Sequence, residues 1–274
     1  MKIEKILITV KTYPTLSTKY TELVCTAGFK KDGSWIRLYP SPFRFLQDDQ
    51  RYKKYQWIEL EIEKNPKDPR PESFRPCNID NITLGDIIPA KNNWKQRRSF
   101  IFSNNIIHEN LNNIIDSAHK NLFSLAIFKP KEIIDLKVKE EENKGWDLNK
   151  KQIIEELSKQ GSLFEKFNDE SFKLIRKLPY KFYYHFIDNE DKESTLMIED
   201  WEIGQLYWNC FKSYKCERTA IDKVKERYLD DFTSNKDIYL FLGTTRRWHF
   251  IAPNPYVIIG VFYPNKIKQY RLPL

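Results

Sequence analysis

The segment Gly33–Arg44 holds the residue types that most clearly suggest binding chemistry. Arg37 and Arg44 flank a Pro-x-Pro corner, and Tyr39 lies between them. A guanidinium group contacts phosphate through two hydrogen bonds and stacks on flat rings, and aromatic side chains stack on bases. The segment therefore predicts a surface that binds an anionic, stackable partner. The alternative is that its rings, Trp35 included, belong to the core, which is the usual place for strand aromatics.

More basic residues follow in the first hundred positions, and a second group lies near the C-terminus. We predict phosphate contacts for Arg37, Arg44, Arg70, Arg75, Arg97, Arg98, Arg246 and Arg247, and base stacking for Tyr39 and Trp248. Of the net charge of +8, residues 1–100 carry +7, from 19 Lys/Arg against 12 Asp/Glu. Such clustering favours a polyanionic partner, most commonly nucleic acid. A lysine-rich proteome from an AT-rich genome is the alternative, although it does not account for the arginines.

The loop Gly243–His249 is the second candidate site. Its Gly-Thr turn follows an apolar run and precedes two arginines, a pattern that can surround a phosphate. His249 is the one histidine that we consider as a general acid or base, because it adjoins Arg246 and Arg247. The alternative is a polar hairpin loop with no ligand.

The sequence predicts no cofactor and no metal site. It contains no GxGxxG or P-loop pattern, and the four cysteines form no CxxC pair. The acidic group Glu199, Asp200 and Glu202 is a weak metal candidate, since three acids in a first helical turn also suit the helix dipole. Few cysteines, no signal peptide and no long apolar run predict a cytoplasmic protein without a membrane partner.

Hydrophobic patterning predicts the elements that position these residues. Strands are expected at 3–10, 20–28, 35–39, 55–63, 122–128, 132–139, 179–187, 195–198, 238–242 and 256–263, and helices from Ser103 to Ala118, at 152–167, at 199–214 and at 218–232. In the strand at 55–63, Ile58, Leu60 and Ile62 point inward and the intervening glutamates outward.

Together these elements predict an α+β fold with a mixed or antiparallel, barrel-like sheet and helices packed to one side. We expect one domain over residues 1–274, with a possible division into a basic β-rich part, 1–139, and a helical part with the C-terminal strands, 150–274. Strands at both ends of the chain also allow the last strands to close a sheet begun by the first.

Several short motifs resemble a family of uncharacterised prokaryotic proteins, and they cover most of the chain. They include Lys11-Thr-Tyr-Pro14, Trp35-Ile-Arg-Leu-Tyr-Pro40 with Pro42-Phe-Arg44, Tyr55-Gln-Trp-Ile58 and Phe241-Leu-Gly-Thr244. The family carries no activity to transfer. The strand pattern is also similar to the small β-barrels of the PUA and ASCH group, which implies binding of RNA or modified bases.

The sequence thus favours a nucleic-acid-binding protein of a prokaryote, in a defence or mobile-element system, with protein partners possible. Two alternatives stay open. One is an enzyme acting on nucleotides or nucleic acid, with the Gly243–His249 loop at its site. The other is an interaction subunit, which requires an exposed apolar face on the helices at 199–232.

Overall fold

Five strands of the N-terminal part close into a barrel. The computed structural model describes residues 1–17, 21–41, 43–46, 50–78, 81–149, 152 and 174–267. The barrel strands are, in spatial order, β1 (Lys2–Lys11), β3 (Thr21–Lys30), β4 (Trp35–Ser41), β6 (Ser73–Pro76) and β5 (Gln56–Lys64), which pairs back with β1. The β4–β6 pair is parallel and the others are antiparallel. Two further strands extend the sheet, β2 (Thr15–Ser17) on β3 and β7 (Thr83–Ile87) on β5.

The barrel interior is built by alternating side chains. Ile58, Leu60 and Ile62 of β5 are at most 2% exposed, as predicted from the sequence pattern. Ile36 and Leu38 of β4 join the same cluster. This alternation leaves Trp35, Arg37 and Tyr39 on the outer face of β4, since successive side chains of a strand point to opposite faces.

Two smaller sheets follow the barrel in the chain. One has the order β14 (Tyr256–Phe262), β13 (Tyr239–Thr244), β9 (Leu125–Phe128) and β8 (Ile107–His108); the other is β10 (Glu132–Glu140), β11 (Tyr180–Ile187) and β12 (Glu193–Met197). The last strands therefore belong to a separate sheet with β9 and β8 instead of closing the one that β1 begins. The α+β class and the barrel-like sheet agree with the prediction.

Four helices pack alongside the strands in the described residues. They are α1 (Lys91–Ser103), α2 (Leu111–His119), α3 (Trp201–Tyr214) and α4 (Glu217–Lys225), which continues through a π-helical segment, Glu226–Asp231, and a last turn, Phe232–Asn235. The predicted helix start at Ser103 is wrong. Ser103 ends α1, and Asn110 caps α2 by accepting a hydrogen bond from the Asn113 backbone N–H. The helix predicted at 152–167 lies outside the described residues apart from residue 152.

The outer face of β4 is covered by the sheet that contains β13. Trp35 packs on Phe29 and Phe241, with ring centroids 4.0 and 5.5 Å apart. Burial of Trp35 and Phe241 removes large apolar surfaces from water and holds the sheet against the barrel. The face that the sequence pattern assigned to Arg37 is thus an internal contact surface.

Polar contacts also cross between the barrel and the rest of the chain. The Lys54 ammonium lies 3.0 Å from the Asp200 carboxylate, which is fully buried and caps α3. Separation of the two parts would leave a buried charge without its partner, which is unfavourable. This contact therefore stabilises the packing of the barrel against the rest of the chain. The contact is consistent with the predicted single domain, which stays a prediction. None of the described helices has the length and apolar character needed to cross a bilayer.

Candidate functional site

A cavity of about 470 Å³ lies where the barrel meets the two smaller sheets. Its wall combines aromatic rings with charged groups from both parts of the chain. The aromatic residues are Tyr13, Tyr39, Trp146, Tyr180 and Phe182, and the charged ones are Arg37, Arg70, Glu141, Lys177, Lys181, Glu199 and Arg246. The volume falls within the range of roughly 300–1,000 Å³ that is usual for small-molecule sites.

Arg37 supplies a buried cation to this wall. Its side chain is 1% exposed, and its guanidinium donates to the Oγ of Ser124 at 2.7 Å and to the Ser124 carbonyl oxygen at 3.4 Å. Ser124 in turn donates from its backbone N–H and its hydroxyl to Glu72, at 2.8 and 2.7 Å. Burial, with Arg70 close by, lowers the pKa of Arg37. Among the described residues Arg37 forms no direct ion pair, and the Glu72 carboxylate is linked to it only through Ser124.

Arg70 has a different role, because its charge is matched. Its guanidinium donates to both carboxylate oxygens of Asp68, at 2.8 and 2.6 Å, and also to the carbonyl oxygen of Thr244. Burial raises the pKa of Asp68, but hydrogen bonds from Arg70 and Ser73 outweigh it and hold the pKa below its usual range. Arg70 therefore fixes the loop before β6 against the end of β13.

The end of β13 adds unused polar groups to the wall. Thr244 and Thr245 both line the cavity, and their hydroxyl oxygens are buried without a hydrogen-bond partner in the described part of the chain. Buried hydroxyls are normally paired, so these two are open hydrogen-bonding groups. The next residue, Arg246, is exposed at the cavity edge.

The aromatic rings of the wall are held by their polar atoms. The Tyr13 hydroxyl donates to the Arg176 carbonyl oxygen at 2.7 Å and accepts from the Trp208 indole at 2.9 Å. The Trp146 indole donates to the Ile175 carbonyl oxygen at 2.7 Å. These bonds fix the positions of two rings that are only partly buried. A flat ligand can stack on such rings with little loss of side-chain freedom.

Glu199 places a carboxyl group in the same cavity. Burial raises its pKa, and the nearby Lys181 only partly offsets this effect. Its backbone is fixed on both sides, because its N–H donates to Ile258 and its carbonyl oxygen accepts from Tyr13. A carboxyl group accepts a hydrogen bond when it is ionised and donates one when it is protonated, and both are found at the edges of bases.

The acidic group that contains Glu199 is divided by the fold. Glu199 faces the cavity, whereas Asp200 pairs with Lys54 and accepts from the Glu202 backbone N–H. The described residues contain no cluster of three or more His, Cys, Asp and Glu side chains suited to a metal ion. Asp200 is the N-cap residue of α3 and Glu202 lies in its first turn, positions that suit the helix dipole.

The predicted binding residues fall into three groups. Arg37, Tyr39, Arg70 and Arg246 line the cavity. Arg247 and Trp248 are exposed on the loop that follows, with the Arg247 guanidinium 4.7 Å from the Trp248 ring centroid. The third group lies outside the cavity wall and consists of Arg44, Arg75, Arg97 and Arg98.

Those four arginines contact the protein itself in different ways. Arg44 donates to both carboxylate oxygens of Glu22 at 2.7 Å, and Arg75 donates to Glu63 at 2.6 Å. Arg97 lies 3.9 Å from the centroid of Tyr55, and Arg98 on the same helix is half-buried. Their predicted phosphate contacts stay predictions.

His249 is fully buried and does not line the cavity. Its Nε2 lies 3.0 Å from the Asn121 amide oxygen, so Nε2 carries the proton, and Nδ1 is buried without a partner among the described residues. Burial, and then the positive charges of Arg70 and Arg37, lower its pKa to about 4. The imidazole is therefore neutral at pH 7. Its hydrogen-bond partner is the amide of Asn121, whereas a catalytic histidine is often paired with a carboxylate. Its predicted role as a proton carrier stays a prediction.

Sequence reasoning did not select Tyr13, Trp146 or Glu199 as binding residues. Tyr13 belongs to the Lys11–Pro14 motif, which was the only signal for it. Trp146 follows a charged run, and its approach to the barrel depends on folding of distant segments. Such residues are found only when the fold is known.

Two family models together match nearly the whole chain. The first, domain of unknown function DUF8758, matches residues 2–103, and the second, domain of unknown function DUF8757, matches residues 104–274. The boundary follows α1, so the first match contains all five barrel strands, while the cavity wall takes residues from both.

Comparison with solved structures gives a murine DNA-binding protein bound to double-stranded DNA, 9% identical, with full coverage of both chains and a TM-score of 0.29. A TM-score this low does not establish a shared fold. No curated protein matches the sequence. The DUF8757 model spans more than half of the chain, and the protein therefore belongs to that family of domains of unknown function.

Proposed function

We propose that this protein binds nucleic acid and that the cavity receives one nucleotide unit of it. The observation that carries the proposal is the convergence of Arg37, Arg246 and Tyr39 on one cavity that also contains Glu199. A nucleotide combines an anionic phosphate, a flat ring and an edge of donors and acceptors. Each of these features has a complementary group in the wall.

The charges of the wall favour an anion over a neutral ring alone. Lys177 and Lys181 both pair with Glu141, and Arg70 is matched by Asp68. Of the charged wall residues, Arg37 and Arg246 then remain, with Glu199 as the one carboxyl group beside them. Positive side chains therefore outnumber negative ones in the wall.

A binding titration at rising salt tests the proposal. Fluorescence anisotropy with single- and double-stranded DNA and RNA should show an affinity that falls as salt increases, because phosphate contacts release counterions. Arg246→Ala should weaken binding and reduce the salt slope by about one unit, whereas Arg218→Ala, an exposed arginine on α4, should bind as the wild type does. No binding at low salt, or binding without a salt slope, would contradict the proposal.

The same titration extends to the outer arginines. Alanine variants of Arg44, Arg75, Arg97, Arg98 and Arg247 test their predicted phosphate contacts one at a time. An arginine whose replacement lowers the salt slope would be assigned to phosphates of the nucleic acid outside the cavity. The expected setting, a prokaryotic defence or mobile-element system in the cytoplasm, is part of this proposal.

A nucleotide-processing enzyme is the second candidate, and the observation that favours it is the perturbed carboxyl of Glu199. Titratable groups with shifted pKa values in a cavity are typical of catalytic sites. In this case Glu199, not His249, is the proton carrier. Incubation of the protein with nucleotides and oligonucleotides, followed by mass spectrometry of the products, tests it. Turnover by the wild type that Glu199→Gln abolishes would support catalysis. If the substrates are unchanged, the enzyme proposal is contradicted and only the binding proposal remains.

The interaction-subunit alternative has less support. Residues 199–232 are all described, and Tyr214 is the one large apolar side chain on them that is exposed. An exposed apolar face was the feature that this alternative required.

A further inference from the structure

The loop between β13 and β14 presents large apolar side chains to solvent. Trp248 is 44% exposed, Phe250 49% and Ile251 68%, while His249 between them is completely buried. Single exposed apolar residues are common on protein surfaces, but three within four positions form a patch of the kind that marks an interaction site. Packing within the described part of the chain therefore does not account for these three apolar side chains.

Hydrogen bonds hold the backbone of this loop in place. The backbone N–H groups of Ile251 and Ala252 both donate to the Trp248 carbonyl oxygen, at 3.2 and 3.0 Å. The His119 ring donates to the Ala252 carbonyl oxygen at 2.9 Å, and His249 anchors the loop on Asn121. Because the loop backbone is already held in place, binding of a partner to this loop loses little conformational entropy.

The charges around the patch select a polyanion. Arg246 and Arg247 precede it, and residues 243–256 contain no acidic side chain. The loop also starts in the cavity, because Thr244, Thr245 and Arg246 line the wall. At 3.8 Å per residue, the Cα of Trp248 lies within about 8 Å of that of Arg246. The apolar patch is thus next to the site that we propose for a nucleotide.

We propose that the loop is a wedge that enters a nucleic-acid duplex and fills the space left by the nucleotide in the cavity; this inference rests on the proposed function. A base in a duplex is stacked and paired, and its removal costs a few kcal/mol. Apolar side chains inserted between base steps offset part of this cost. Trp248, Phe250 and Ile251 are placed for that insertion, and Arg246 and Arg247 for the flanking phosphates.

Duplexes that carry 2-aminopurine test the wedge, since the fluorescence of this base rises when it leaves the stack. The variants are Phe250→Ser and Ile251→Ser, and Ile106→Ser is the matched control, because Ile106 is 74% exposed and lies outside the loop. Circular dichroism melting verifies that each variant is folded. Affinity for single strands and for duplexes is measured in parallel.

The wild type and Ile106→Ser should bind the duplex and raise the fluorescence severalfold. The two loop variants should bind single strands within about twofold of the wild type but duplexes roughly tenfold more weakly, as expected for a loss of about 1.4 kcal/mol, with little fluorescence rise. Loop variants that bind and open duplexes normally, or that lose single-strand and duplex binding equally, would overturn the wedge.

Two further outcomes separate the wedge from the proposed function. A wild type that binds single strands but not duplexes would overturn the wedge and leave nucleic-acid binding intact, whereas a wild type that binds neither would contradict the proposed function itself. Self-association that Ile251→Ser abolishes, with duplex binding unchanged, would assign the loop to a second copy of the chain and overturn the wedge.

Discussion

The Arg37 guanidinium donates a 2.7 Å hydrogen bond to the Oγ of Ser124, across the contact between the barrel and the sheet that covers it. The two residues are 87 positions apart in the chain. Ser124 also donates to Glu72, so one serine orients the Arg37 cation of the wall and a carboxylate behind it. The position of the cavity's buried charge therefore depends on contact between the two parts of the protein.

Removal of this hydroxyl should destabilise the fold. Ser124→Ala removes the hydroxyl that accepts from Arg37 and donates to Glu72 and leaves only their bonds to the backbone of residue 124. A buried polar group that loses a hydrogen bond costs about 1–3 kcal/mol. Denaturant unfolding should show a loss of that size. Ser103→Ala, at an exposed serine that ends α1, should change the free energy of unfolding by no more than about 0.5 kcal/mol. Equal effects at both sites would contradict the described network.

The close packing of α3 on Tyr13 gives a second prediction. A Cβ at Gly204 would lie 2.3 Å from the Tyr13 ring, so Gly204→Ala must displace a ring of the cavity wall. Overpacking of this kind costs about 1–3 kcal/mol, although alanine normally favours a helix interior over glycine. Gly145→Ala, with open space around its Cβ, is the control. Thermal melting should show a lower midpoint for Gly204→Ala alone, and a stabilised Gly204→Ala would show that Tyr13 does not pack as described.

Much of the fold, but less of the site, follows from the sequence. The strand Gln56–Lys64 was predictable because its apolar side chains alternate over the whole element. The strand Ser73–Pro76, which closes the barrel beside β4, was not, because it is four residues long and lies in a proline-rich stretch. Local patterns specify a face of a strand, but they do not reveal what covers it. The burial of Arg37 under Ser124 is such a case.

The buried His249 predicts a pH dependence of stability. Its pKa is about 4 in the folded protein, below the ordinary value of about 6.5, so the unfolded chain binds the proton first. Its contribution is complete above pH 6.5 and is lost as the pH falls toward 4, by on the order of 1–3 kcal/mol. His249→Gln keeps a donor for Asn121 but does not titrate. Denaturant unfolding from pH 7 to pH 4 should show a smaller loss for this variant, and identical profiles would contradict the assignment.

Photo-crosslinking tests most directly whether the cavity holds a nucleotide. Oligonucleotides that contain 5-iodouracil are bound, irradiated and digested, and the crosslinked peptides are identified by mass spectrometry. The account predicts crosslinks at the aromatic residues of the wall, Tyr13, Tyr39, Trp146, Tyr180 or Phe182, and their loss when Arg246→Ala weakens binding. Crosslinks confined to residues outside the cavity, such as the helices at 201–235, would contradict it.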